Sequence, residues 1–246
     1  MVKSRRALAF LLEKQRSDGS WYGAWAVCFT YATWFGCSGV AAAAIDLSQS
    51  TEEELHSQRV RTLLARCDAA LHRAATFVLS IERRREEEGK EEQEEEAEDT
   101  DTDNMPGDSQ GGWGEAVESC AYKKYVGIGK NEGAQVVQTA WAMLALLSAL
   151  KGMNAIDATA DSIRSGVLSS TSPPAPASHP KLRAKVAAAL DRGARALVSL
   201  QQSDGDFPQQ RVTGIFNQTV AICYPNYRNA FPTWALAEYW TWRHHG

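Results

Sequence analysis

Apolar residues recur at intervals of three and four along most of this chain, the spacing that gathers them on one side of a helix. Arg5 to Gln15 reads as a short helix. Val27 to Ala44 is apolar nearly all round, as expected for a helix enclosed by others, with a bend at Gly36 and Gly39. From Glu52 to Arg85 one long helix is expected, with Leu55, Val60, Leu63, Leu64, Leu71, Ala75, Val78 and Leu79 along one side. Ala134 to Leu150 is a further apolar helix, and Lys181 to Leu200 is Ala-rich and amphipathic. Asn229 to Trp242 closes the series, with Pro232 near its first turn, where a missing N–H does no harm. No alternating strand pattern is present, so the expected class is all-α.

Two segments break this scheme. Residues 86–110 are acidic and of low complexity, and bury too little apolar surface to offset their ordering entropy. Residues 165–180 are rich in Ser, Pro and Ala. Both read as disordered insertions into a helical scaffold. They also explain the charge. The net value is −4, but Glu82 to Asp103 alone holds 13 acidic and 4 basic residues, which leaves the remainder at +5. A mildly basic scaffold permits contact with an anionic membrane surface, and nothing in the chain calls for nucleic acid as a partner.

The five cysteines, Cys28, Cys37, Cys67, Cys120 and Cys223, are scattered without a C-x-x-C pair. This spacing predicts reduced thiols and neither a zinc site nor a disulfide framework. Cys28 and Cys223 read as small buried hydrophobes. His56, His72, His179, His244 and His245 stand at no ligand spacing from a cysteine or carboxylate. At the N-terminus, the six-residue apolar run after Arg6 is too short for a signal peptide and is interrupted by Glu13 and Lys14. Gly19 to Ile45 is uncharged for 27 residues. Its Gly, Ser, Thr and Ala content favours a buried helix over a membrane span.

An internal repeat organises the helices. Arg6-Ala7, Phe10-Leu11, Gln15 and Gly19-x-Trp21 form one copy. Arg192-Gly193, Leu197, Gln201 and Gly205-x-Phe207 form another. Arg73-Ala74, Phe77-Val78 and Gly111-x-Trp113 form a third, split by the acidic insertion and carrying Glu82 in place of Gln. Each unit is a helix whose end is tied to a Gly turn, and each buries its apolar side against its neighbours.

The chemistry-bearing segment is the aromatic run that includes Trp21, Tyr22, Trp25, Phe29, Tyr31, Trp34 and Phe35, with no charge after Asp18 until Asp46. Ring faces carry negative quadrupole density, attract cations and offer no nucleophilic lone pair. Such a set suits a site that must hold a carbocation without reacting with it. Two further stretches accompany it. One is Gly112-Trp113-Gly114-Glu115 with Glu118-Ser119-Cys120, followed by Val136 to Met143. The other is Gly214-Ile215-Phe216-Asn217 with Tyr224 and Tyr227 to Leu236.

In order and spacing these three stretches resemble the last part of the oxidosqualene cyclases, the sterol-forming members of the terpene cyclase/mutase family. The repeat resembles the QW motifs of that family, with Gln15, Trp21, Trp113, Gln201 and Phe207 at the motif positions. The Gly-x-Phe-Asn element is similar to the oxidosqualene branch more than to the squalene–hopene branch. The resemblance implies part of an α/α barrel, or toroid, spanning 1–246 as the C-terminal part of a cyclase domain. It implies conversion of (3S)-2,3-oxidosqualene to a sterol or triterpene skeleton such as lanosterol by acid-initiated cationic cyclisation.

Residue by residue, it implies that Trp25, Phe216 and Tyr224 line the cavity and stabilise cations. Ile222 sets its shape, and Tyr31 joins a polar network near the final deprotonation. Trp21, Trp113 and Phe207 are packing residues, Trp34, Trp141 and Trp234 are core, and Glu115 and Glu118 accept backbone donors. No metal or organic cofactor is implied. The implied partners are a lipid substrate and, for the full-length enzyme, the surface of an endoplasmic reticulum membrane or lipid droplet. The family's proton donor sits in an Asp-Cys-Thr-Ala-Glu motif that this chain does not contain, and Ala26 and Ala32 stand where the family usually has Gly. No catalytic residue is therefore assigned, and the chain on its own is expected to be inactive.

Two other classes compete. A non-catalytic helical interaction protein derived from a cyclase would keep the scaffold and lose the chemistry. A protein-prenyltransferase-type barrel would need a zinc cluster of Asp, Cys and His.

Overall fold

The computed structural model describes residues 2–83, 111–129, 132–165, 179–216 and 219–245. The acidic stretch 86–110 and nearly all of 165–180 lie outside the described residues, as does Asn217. The element order is α1 (Val2–Lys14), α2 (Thr30–Ser48), α3 (Glu52–His56), α4 (Gln58–Ser80), α5 (Glu118–Tyr122), α6 (Val136–Ser165), α7 (Pro180–Leu200), β1 (Gly214–Phe216), β2 (Val220–Ile222) and α8 (Tyr227–His245). The all-α expectation holds apart from one small hairpin.

Three differences from the sequence reading have local causes. The single helix expected over 52–85 is two. Ser57 turns extended, with ψ 136°, and its hydroxyl accepts from the Val60 N–H as the cap of α4. The short α3 before it is closed by a capping box between Thr51 and Glu54. Second, α6 continues to Ser165, well beyond Leu150, because Met153, Ile156 and Thr159 remain buried. Third, Gly214–Phe216 and Val220–Ile222 pair antiparallel in the register Gly214↔Ile222, Ile215↔Ala221, Phe216↔Val220. Strands of three residues are too short to show an alternation in sequence.

The helices pack in two rows. In one, α6 lies between α2 and α8; in the other, α4 lies between α1 and α7, and each row covers the other. Alpha6 is long and apolar enough to cross a membrane, but an apolar 18-residue stretch of it is 89% buried inside the fold, which makes it the core helix. Its fully enclosed side chains include Trp141, Met143, Leu146, Leu147, Met153 and Ile156. Alpha2 runs through Gly36 and Gly39 as one uninterrupted helix. Gly36 serves close approach, since the Trp21 indole lies where its Cβ would stand.

The segments read as repeat units carry hydrogen bonds between helix and turn. The Trp21 indole N–H donates to the Leu11 carbonyl at 2.8 Å, and that of Trp113 to the Val78 carbonyl at 2.8 Å. Gln15 Nε2 donates to the carbonyls of Gly19 and Ala70, and Gln201 Nε2 to that of Gly205. Trp21, Trp113 and Phe207 are all buried. Successive units are also joined: Arg73 donates to Gln15, and Arg192 to Glu82.

Two chemical expectations are overturned. Cys28 and Cys120 form a disulfide across 92 residues of sequence, with Cα atoms 5.6 Å apart, and so tie the aromatic loop to α5. Spacing along the chain carries no trace of a pairing made by tertiary contact. Cys223 is exposed, since it follows the hairpin on the surface, and is no buried hydrophobe. His179 also has a carboxylate partner after all. Its Nε2 lies 3.1 Å from Asp68 Oδ2, a contact across 111 positions that no local spacing announces.

Candidate functional site

The aromatic run enters α2 through a loop held at several points. Val27 N–H donates to the Thr213 carbonyl at 2.8 Å, which joins the loop to the strand that carries Phe216. The Trp25 and Phe216 rings meet at 4.6 Å with a 59° tilt. Both remain open to solvent, Trp25 at 67% and Phe216 at 40% of their area. An exposed pair of large rings fixed by the backbone is unusual on a surface, where such area is normally covered.

Tyr31 fixes the pair from beneath. Its hydroxyl accepts the Trp25 N–H at 2.8 Å, and its ring lies 5.7 Å from Trp141 and 5.8 Å from Phe35. Burial pushes the Tyr31 phenol above its ordinary range, against the lowering effect of the amides that it accepts. The Tyr31 hydroxyl is thus partly committed to the loop as an acceptor of backbone N–H groups.

The remaining predicted residues sit on and after the hairpin. Tyr224 stacks on Tyr227 at 4.5 Å, and Ile222 pairs with Gly214. Tyr227 in turn meets Trp141 at 5.9 Å and Phe231 at 5.0 Å. The structure therefore gathers Trp25, Tyr31 and Phe216 directly, and reaches Tyr224 through Tyr227 and Trp141. Tyr227 and Phe231 are ring partners that the sequence reading did not single out. Their signal was four-residue spacing on one face of α8.

Beside this cluster α2, α6 and α8 leave a groove of about 560 Å³. Trp34, Phe35, Leu144, Leu147, Phe231 and Trp234 line it, with the Ser38–Ser148 hydroxyl pair and the Lys151–Glu238 ion pair also in its wall. Trp34 and Trp141 are buried as expected of core residues. Trp234 is not, being 47% exposed on the groove, where only one side of its ring meets Trp34 among the described residues.

The carboxylates are engaged elsewhere. Asp68, Asp157, Asp191 and Asp206 are held by His179, Arg183, Tyr239 and Arg228 respectively. Glu115, only 1% exposed, accepts from the Phe29 and Thr30 N–H groups, as the sequence reading held for it. Among the described residues no three His, Cys, Asp or Glu side chains gather to hold a metal. The site can offer cation-attracting ring faces and shape.

In sequence, the chain is similar to known cyclases. Residues 1–63 match the squalene-hopene cyclase C-terminal domain. The chain is 30% identical to lanosterol synthase of Homo sapiens over 234 residues, which is 95% of this chain and 22% of that protein. It is 31% identical to alpha-onocerin synthase LCD of Lycopodium clavatum over 239 residues, 97% of this chain and 21% of that protein. Cycloartenol synthase of Dictyostelium discoideum is 30% identical over 234 residues, again 95% of this chain and 22% of the relative. The chain thus spans about a fifth of the length of these curated relatives.

Proposed function

We propose, from the premise that this chain belongs to the oxidosqualene cyclase family, that it forms part of a cyclase cavity wall. In that cavity (3S)-2,3-oxidosqualene is isomerised to a sterol or triterpene skeleton such as lanosterol. The observation that carries this reading is the Trp25–Phe216 pair, two open ring faces at 4.6 Å held by backbone bonds.

Cyclisation begins with protonation of the epoxide and proceeds through carbocations until a proton is lost. The epoxide C–O bond breaks as the oxygen takes up the proton, C–C bonds form in turn, and the proton lost at the end balances the one taken up, so the conversion is an isomerisation with no net oxidation or reduction. This chain's part is to stabilise positive charge on carbon through the rings of Trp25, Phe216 and Tyr224, and to exclude water. Ile222 shapes the wall, and the folded substrate is oriented by that shape. The proton comes from a carboxylic acid outside this chain, so Trp25 and its neighbours act after initiation. Gln15 with Trp21, Glu82 with Trp113, and Gln201 with Phe207 act as QW-type ties that keep the outer helices in register. A substrate so insoluble places the work at a membrane or lipid-droplet surface.

The test is a chimera in which this chain replaces the homologous stretch of lanosterol synthase from Saccharomyces cerevisiae, a relative 28% identical to it. The folded chimera is expected to turn oxidosqualene into cyclic products detectable by gas chromatography–mass spectrometry. Trp25→Val and Phe216→Val are expected to lower their yield or divert it to incompletely cyclised species. A folded chimera whose products do not respond to either substitution would overturn the reading. The chain alone is expected to yield none.

A further inference from the structure

We infer that Glu115 is the positioning residue of the Trp25–Phe216 pair, acting through the N-terminus of α2 and the Tyr31 hydroxyl. Its consequence for catalysis rests on the cavity reading above; the linkage itself does not.

Glu115 lies in the turn before α5, 1% exposed. Its Oε1 accepts the Phe29 N–H at 2.9 Å, and its Oε2 accepts the Thr30 N–H at 2.9 Å and the Thr30 hydroxyl at 2.7 Å. The Ser119 side chain adds a further bond. Burial raises the Glu115 carboxyl above its ordinary range, and these donors pull it back down. Among the described residues no cation pairs with it. The donors at the start of α2 supply the compensation, where orphan N–H groups and the helix dipole favour a negative charge. Glu115 is itself fixed, since its N–H donates to Gln135 Oε1 at 3.0 Å.

One residue beyond Thr30 comes Tyr31, and its hydroxyl accepts the Trp25 N–H. Trp25 then lies on Phe216. The path from a buried carboxylate to an exposed ring therefore runs through three residues and two sets of hydrogen bonds. No other side-chain tie reaches the Trp25 backbone among the described residues. A ring that must face a short-lived cation is useful only if its position is set in advance. Among the described residues Trp25 keeps 67% of its area open, so its position depends on the tie beneath it and on Phe216 beside it.

The experiment uses the whole chain labelled with 5-fluorotryptophan and read by fluorine NMR. Trp25→Phe assigns the Trp25 line among the eight tryptophans. In Glu115→Gln, which places an amide NH2 against donors, the Trp25 line is expected to shift or split while the Trp240 line, on the far end of α8, stays in place. Tyr31→Phe, which removes the acceptor of the Trp25 N–H, is expected to move the same line. Thr30→Val, which deletes one of the donors to Glu115, is expected to move it less. If Glu115→Gln does not fold, Tyr31→Phe and Thr30→Val decide. An unchanged Trp25 line in folded Glu115→Gln, or in Tyr31→Phe, overturns the inference. A Trp25 line that moves only together with every other tryptophan line also overturns it, as a general loosening would give. No substrate enters the measurement, so failure of the cavity reading leaves its result intact.

Discussion

The Arg192 guanidinium closes on both oxygens of Glu82, Nε to Oε1 at 2.7 Å and a terminal nitrogen to Oε2 at 2.8 Å. The Glu82 side chain is wholly enclosed, and Arg192 is 23% exposed. Arg73 and Gln15 make the corresponding contact one unit earlier. Alpha4 and α7 thus each reach back, one to Gln15 after α1 and the other to Glu82 after α4. Its hydrogen bond to Glu82 holds the Arg192 guanidinium above even its usual range.

Removing one partner of this pair should be far worse than neutralising it gently. Arg192→Leu takes the paired cation away from an enclosed carboxylate and is expected to lower stability by about 3–5 kcal/mol. Glu82→Gln restores the residue type of the other two units, keeps an acceptor for Arg192, and is expected to cost about 1–2 kcal/mol. Urea unfolding of both variants checks the order. Equal losses would mean that the pair is not the joint between units.

Acid should loosen the contact between α4 and the start of α7. There the His72 and His179 rings meet at 4.4 Å, with Asp68 on His179 and Arg73 beside His72. Burial, then His179 and Arg73, hold His72 below its ordinary value of 6.5, and Asp68 only partly opposes them. A histidine with a depressed folded pKa binds fewer protons folded than unfolded, so its contribution falls as pH drops below 6.5. Melting temperature is expected to decline between pH 7.5 and 5.5, and His72→Gln is expected to shrink that decline. A decline of the same size in His72→Gln would assign it to other groups.

Most of the helical scaffold was legible because burial and period coincide. Val60, Leu64, Leu71, Ala75 and Val78 were read as one face and all are buried. What sequence could not show were contacts between residues far apart in the chain: Cys28 with Cys120, His179 with Asp68, and the tie from Glu115 to α2. The break at Ser57 was hidden because α3 and α4 share a continuous apolar pattern across the cap. At the candidate site, residue types announced a gathering of aromatic rings. Their openness to solvent was not announced, because exposure depends on which neighbours pack over Trp25 and Trp234.

The disulfide gives a count that can be checked directly. Without reductant, the denatured chain is expected to alkylate at three cysteines, Cys37, Cys67 and Cys223, and with reductant at five. In the native chain only Cys223 should react, since burial encloses Cys37 and Cys67 and pushes each thiol up to about 12. Cys120→Ser is expected to lower stability by about 2–4 kcal/mol. Five labelled cysteines in the unreduced denatured chain would rule the bridge out.

Gly36 and Gly205 separate two reasons for glycine. A Cβ on Gly36 would stand 2.3 Å from the Trp21 ring. That ring cannot retreat without breaking its bond to Leu11, and the Trp21 N–H is also held, by the Thr33 hydroxyl. Gly36→Ala is thus an overpacking change in a closed site and is expected to cost about 1–3 kcal/mol or more. A Cβ on Gly205 meets nothing within 4 Å, and its only burden is a φ of +87°. Gly205→Ala is expected to cost about 1–2 kcal/mol, from backbone strain alone. The two differ most clearly in what rescues them. Trp21→Leu, itself destabilising, should recover part of the loss from Gly36→Ala and none of that from Gly205→Ala. A double-mutant cycle by thermal denaturation measures this coupling. Zero coupling between positions 21 and 36 would mean that Trp21 is not pinned against α2.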